Sequence, residues 1–127
     1  MTSKNINKNE ITNITIVDRD KTKEVISYST HLLITAPPDD EGCPIFNKFS
    51  DQILNSNIKS LIYISTTGVY GNHHGKWVNE NSVLNAESRF DKMRVKSEKQ
   101  WKTLCKKNNL NLNVVRIAGI YGPERIF

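Results

Sequence analysis

Apolar residues occur along this chain in short clusters whose spacing alternates between two periods. Residues 14–17 (Ile-Thr-Ile-Val), 31–35, 58–65 and 113–117 are compact, largely β-branched or apolar runs bounded by polar residues, the pattern of strands. The run 58–65 (Ile-Lys-Ser-Leu-Ile-Tyr-Ile-Ser) is the most apolar, and it predicts a central strand buried on both faces of a parallel sheet. Between these runs the period lengthens. Ile45, Phe46, Phe49, Ile53 and Leu54 predict a helix over 44–55, with Pro44 suited to its first turn. Phe90, Met93, Ser97, Trp101 and Leu104 predict a longer helix over 88–107, capped by Asn85 or Ser88, with that stripe against the sheet. A weaker helix over 20–29 has only Val25 and Ile26 as its apolar grip.

This alternation predicts an α/β fold with right-handed crossovers, in which strands 31–35, 58–65 and 113–117 lie side by side with 58–65 in the centre. Residues 1–13 lack periodicity and are expected to form a disordered or irregular lead-in, leaving 14–127 as one domain.

Composition narrows the function classes. With 37% hydrophobic residues and no apolar run near bilayer length, the chain is expected to be soluble and without membrane contact. Its polar amino end carries no signal core, so a cytoplasmic location is expected. Cys43 and Cys105 fit neither a metal-ligand spacing nor a disulfide framework and read as small buried thiols. Adjacent His73 and His74 lack ligand partners at a suitable spacing, so no metal is expected. His31 reads as structural.

The net charge of +5 raises the question of nucleic acid. Much of the positive charge lies on the predicted long helix, at Arg89, Lys92, Arg94, Lys96, Lys99, Lys102, Lys106 and Lys107, interleaved with Glu87, Asp91 and Glu98. No recognition motif accompanies it, and the reading favoured is a solvated helix face rather than a nucleic-acid surface.

Four segments carry a resemblance. Ser65-Thr66-Thr67-Gly68-Val69-Tyr70-Gly71 follows the central strand. Thr30 to Pro38 ends in Ala36-Pro37-Pro38, Lys96-Ser97-Glu98 lies on the long helix, and Val114 to Pro123 closes on Tyr121-Gly122-Pro123. In this order the segments resemble the active-site strand and its neighbouring elements in the extended short-chain dehydrogenase/reductases, the NAD-dependent epimerase/dehydratase group. The loop Gly75 to Glu80 resembles an atypical branch of that group. The likeness implies a partial, doubly wound Rossmann-like sheet and an NAD or NADP cofactor. It implies a hydroxyl at Thr66 and an ammonium at Lys96 as catalytic groups, with Ala36, Pro37, Ser65, Thr66, Lys96, Ile117, Ala118 and Gly119 along the cofactor path.

Two departures bear on activity. The tyrosine expected four residues before Lys96 is Lys92, which cannot act as a phenol and would repel Lys96 one turn away. The chain also contains no Gly-x-Gly-x-x-Gly turn, the backbone cradle for a pyrophosphate. The residues before Ile14 are too few to hold that unit, and relatives continue beyond Phe127, so the resemblance implies a middle segment. Three readings stay open: a fragment, inert or completed by a separately encoded amino-terminal half; an active oxidoreductase or epimerase; and a binding module that kept the scaffold. In the first, the missing glycine-loop strand leaves the edge of strand 31–35 unpaired.

Overall fold

In a computed structural model, residues 14–122 are described. Helix α1 (Thr22–Tyr28), preceded by a 3-10 turn over Arg19–Lys21, leads into strand β1 (His31–Ile34). Helix α2 (Pro44–Leu54), strand β2 (Ser60–Thr66), helix α3 (Arg89–Lys107) and strand β3 (Asn111–Ile117) follow. The three strands form one parallel sheet in the order β1-β2-β3, with Ile34 opposite Tyr63 and Thr66 opposite Ile117. The expected central position of the second strand and the expected neighbours are what the sheet contains. The irregular lead-in expected over 1–13 lies outside the described residues, as does Pro123.

Parallel registry places every second residue of the three strands on a common face. Leu32, Ile34, Leu61, Tyr63, Leu112 and Val114 share one face and join a core with Ile26 of α1, Phe49 and Ile53 of α2, and Trp101 and Cys105 of α3. All three helices therefore lie on the same side of the sheet. Strands laid down in sequential order with crossovers of one hand place their helices on one face.

Three expectations are corrected. The central strand is buried on one face only, since its residues alternate between buried and half-buried. Its alternate face would need helices that none of the described elements supplies. Residues 14–17 are not a strand; among them only Val17 makes a bridge, and an apolar run alone does not fix a ladder. Phe90 is 75% exposed and does not pack on the sheet. It sits in the first turn of α3, and the contact is carried instead by Ser97, Glu98, Trp101 and Cys105 farther along. Met93 is half-buried. Ser88, one of the two candidates, is the cap: its side chain accepts from the Asp91 backbone N–H.

Candidate functional site

The carboxyl ends of parallel strands are where an open α/β sheet presents ligand-binding groups. Here β1 runs out into Thr35, Ala36 and Pro37, β2 ends at Ser65 and Thr66, and β3 ends at Ile117, followed by Ala118 and Gly119. These expected cofactor-path residues thus form a row across three adjacent strand ends, on a side of the molecule where Pro37, Ile117, Ala118 and Gly119 are exposed.

Ser65 and Thr66 point to opposite faces, as strand alternation requires. Thr66 is half-buried, and its Oγ1 accepts from the Gly68 N–H at 3.2 Å, capping a 3-10 turn over Thr67–Tyr70. Its hydroxyl proton makes no hydrogen bond among the described residues, so it can donate to an oxygen brought to the strand ends. Ser65 is buried on the helix side and donates to Glu98 Oε1 at 2.7 Å.

Glu98 is the centre of a buried ionic cluster that sequence reading placed on a solvated face. Its side chain is 1% exposed and receives Arg116 Nε at 3.0 Å, Arg116 Nη2 at 2.8 Å and Lys102 Nζ at 3.1 Å. Arg116 Nη1 continues to the Tyr70 hydroxyl at 2.8 Å, and the guanidinium lies over the Tyr70 ring at 4.8 Å. Burial pushes the Glu98 carboxyl up, but hydrogen bonds from Arg116, Ser65 and Lys102 outweigh it and hold the group below its ordinary range. The Glu98 hydrogen bond raises the Arg116 pKa against the effect of burial. A cleft of about 520 Å³ adjoins the cluster, lined by Tyr70, Asn79, Glu80, Lys102, Val114 and Arg116. The signal for this cluster was one carboxylate on the buried stripe of a helix and one arginine inside Val114-Val115-Arg116-Ile117. Opposite charges in two such segments point to a buried pair.

Tyr70 also anchors the long loop that follows it. The Asn85 backbone N–H donates to the Tyr70 carbonyl at 3.1 Å. Gly71 has φ +66, and a Cβ there would lie 1.8 Å from the Asn85 carbonyl oxygen, so only glycine closes the loop at this point.

Lys96, the ammonium the resemblance implies as catalytic, lies against the 39–42 turn. Its Nζ donates to the Asp40 carbonyl at 2.7 Å and lies 3.6 Å from the Glu41 carboxylate. Arg89 pairs with the Asp40 side chain, and the hydrogen bond from Arg89 holds that carboxyl below its usual range. Gln100 completes the clamp: its Oε1 accepts from the Cys43 N–H and its Nε2 donates to the Glu41 carbonyl. Gly42, at φ +102, approaches Gln100 so closely that a Cβ would lie 2.2 Å from Oε1. Arg89, Lys96 and Gln100 of α3 therefore fasten the turn after Pro37-Pro38. Lys92 is exposed, and its side chain has no hydrogen bond or ion pair among the described residues. No tyrosine lies on α3. Among the sequence-derived positions, the structure aligns Ala36, Pro37, Ser65, Thr66 and Ile117 to Gly119, whereas the ammonium of Lys96 is bound at the 39–42 turn.

No family model matches the chain, and no curated protein matches it. Solved structures do. A functionally unknown conserved protein from Silicibacter pomeroyi DSS matches with a TM-score of 0.77 and 38% identity over 87% of this chain and 39% of that one. A UDP-glucuronic acid 4-epimerase from Bacillus cereus in complex with NAD matches with a TM-score of 0.68 and 18% identity over 82% of this chain and 36% of that one. The same epimerase with UDP-glucuronic acid and NAD gives a TM-score of 0.60, 19% identity and coverage of 81% and 37%. The chain thus spans less than two-fifths of the length of each of these structures. Its parallel α/β sheet is part of a Rossmann-like fold, the fold it shares with an NAD-bound epimerase.

Proposed function

We propose that this chain is the active-site-strand segment of an NAD-dependent epimerase/dehydratase-like protein of the atypical extended short-chain dehydrogenase/reductase type. In this reading it acts in the cytoplasm, is catalytically inert alone, and is completed by polypeptide carrying the glycine turn. The observation that carries the reading is the row formed by Ala36-Pro37, Ser65-Thr66 and Ile117 to Gly119 across three parallel strand ends. The fold likeness to an NAD-bound epimerase supports it.

The residues present fit one wall of an NAD or NADP site and not its phosphate cradle. Thr66 offers a hydroxyl donor. The 127 residues contain no Gly-x-Gly-x-x-Gly turn, and Lys92 stands where a phenol is needed. A lone chain in this reading therefore carries no hydride-transfer step. Among the described residues, no helix covers the second sheet face and no strand pairs with the outer edge of β1, which leaves surface for a completing partner in this reading.

A chimera that supplies the amino-terminal strand, glycine turn and helix tests the reading. It should bind NAD or NADP, show no cofactor reduction with a panel of sugar nucleotides while Lys92 is present, and acquire it with Lys92→Tyr. Turnover with Lys92 in place would instead favour an active enzyme that uses another acid or base.

A further inference from the structure

A cleft between α2 and α3, on the outer side of the helical layer, carries an observation that the sheet-end site does not absorb. Burial of Glu98 removes the only carboxylate between residues 92 and 107 from the surface. The exposed side of that stretch then carries six lysines, Lys92, Lys96, Lys99, Lys102, Lys106 and Lys107, and no negative charge. Lys102 is paired with Glu98 and Lys96 with Glu41. The other four have no ion pair among the described residues. A solvated helix face normally interleaves both signs, so this one retains uncompensated repulsion.

Lys96, Lys99 and Lys107 rim a shallow cleft of about 400 Å³ whose floor includes Phe46 and Leu104. Every charged residue lining it is positive. Phe46 is half-buried and meets the Trp101 ring edge-on, with centroids 5.1 Å apart. The lining residues of α3 recur through positions 96, 99, 100, 103, 104 and 107, one side of the helix over about three turns.

We infer that this cleft docks an acidic amphipathic helix of a partner protein. Its apolar residues would cover Phe46 and Leu104, and its carboxylates would meet Lys99 and Lys107. An apolar floor suits a side-chain stripe and has no use in gripping a phosphate backbone. A second copy of this chain would bring lysine against lysine. The inference does not depend on the cofactor site.

The test uses the full chain with Trp77→Phe, which removes a wholly exposed tryptophan and leaves Trp101 beneath Phe46 as the reporter. The probe is a helical peptide of about four turns with a leucine stripe flanked by glutamates; a control peptide has lysines in place of the glutamates. The glutamate peptide should change Trp101 emission saturably, with affinity falling as salt rises. Lys99→Glu with Lys107→Glu should weaken it by about tenfold, while circular dichroism stays unchanged. Equal binding of both peptides, or none by either, would overturn the inference. So would displacement of the glutamate peptide by single-stranded DNA at comparable concentration, which would make the face a nucleic-acid surface. Concentration-dependent self-association abolished by the same reversals would assign it to a second copy.

Discussion

On the helix-covered face of the sheet, Ile34, Leu61 and Tyr63 are at most 2% exposed, whereas on the other face Leu33, Val115 and Ile117 are 59%, 43% and 36% exposed. The strands are the same and so is their apolar character; only the covering layer differs. Parallel sheets are ordinarily covered on both sides. The contrast shows that sequential strand order and uniform crossovers have stabilised one side fully and left the other as surface. It also divides the two hydroxyls at the end of β2. Ser65, on the covered side, is committed to Glu98, while Thr66, on the open side, keeps a donor available.

The largest test of this contrast lies in the covered layer. Glu98→Ala should destabilise the chain by about 3–5 kcal/mol in chemical denaturation, because it leaves Arg116 a buried cation without its partner. Replacing both partners by apolar residues, Glu98→Leu with Arg116→Met, should recover most of that loss. A small effect of Glu98→Ala would mean that the cluster is hydrated and that the covered side is looser than its burial indicates.

A smaller effect is expected from acid. The Glu98 carboxyl has a folded-state pKa below its unfolded one, so its contribution is complete above the unfolded value, near 4.5. That contribution is lost as pH falls through the lower, folded value. Stability should therefore decline below the ordinary carboxylate range, and Glu98→Gln should flatten this limb. An unchanged acid limb in Glu98→Gln would assign the acid sensitivity to other carboxylates.

The smallest effects belong on the open face. Leu33→Ser and Val115→Thr should each change the stability of the chain alone by no more than about 0.5 kcal/mol, since neither fills a core. In the chimera that completes the sheet, the same changes should become clearly destabilising. A core-sized loss from Leu33→Ser in the chain alone would show that this face is already covered and would remove the contrast.

Much of the architecture was legible in the sequence because periodicity reports which residues need burial. The helix expected over 44–55 spans Pro44–Leu54, and that expected over 88–107 spans Arg89–Lys107. The strand expected over 58–65 spans Ser60–Thr66. Sequence could not reveal the missing cover, since Ile62 and Ile64 look alike whether a helix lies above them or not. Residues 14–17 likewise read as a strand, although only Val17 takes part in a bridge. Charged residues concealed the ionic cluster. Glu98 and Arg116 resemble surface residues until folding places them on one side of the sheet, and nothing in the Lys96 motif shows that its acceptors lie in the 39–42 turn. Motif order located the strand ends well because it depends on topology, which is local in sequence; side-chain partners such as Glu98 and Arg116 are 18 residues apart.

The most direct test of the account is a calorimetric titration of the isolated, folded chain with NAD and with NADP. If the chain supplies one wall of a dinucleotide site without its phosphate cradle, neither cofactor should give a saturable heat in the micromolar range. Saturable binding there, abolished by a substitution at Thr66, would contradict the account and show that this chain holds the cofactor through a phosphate site of its own.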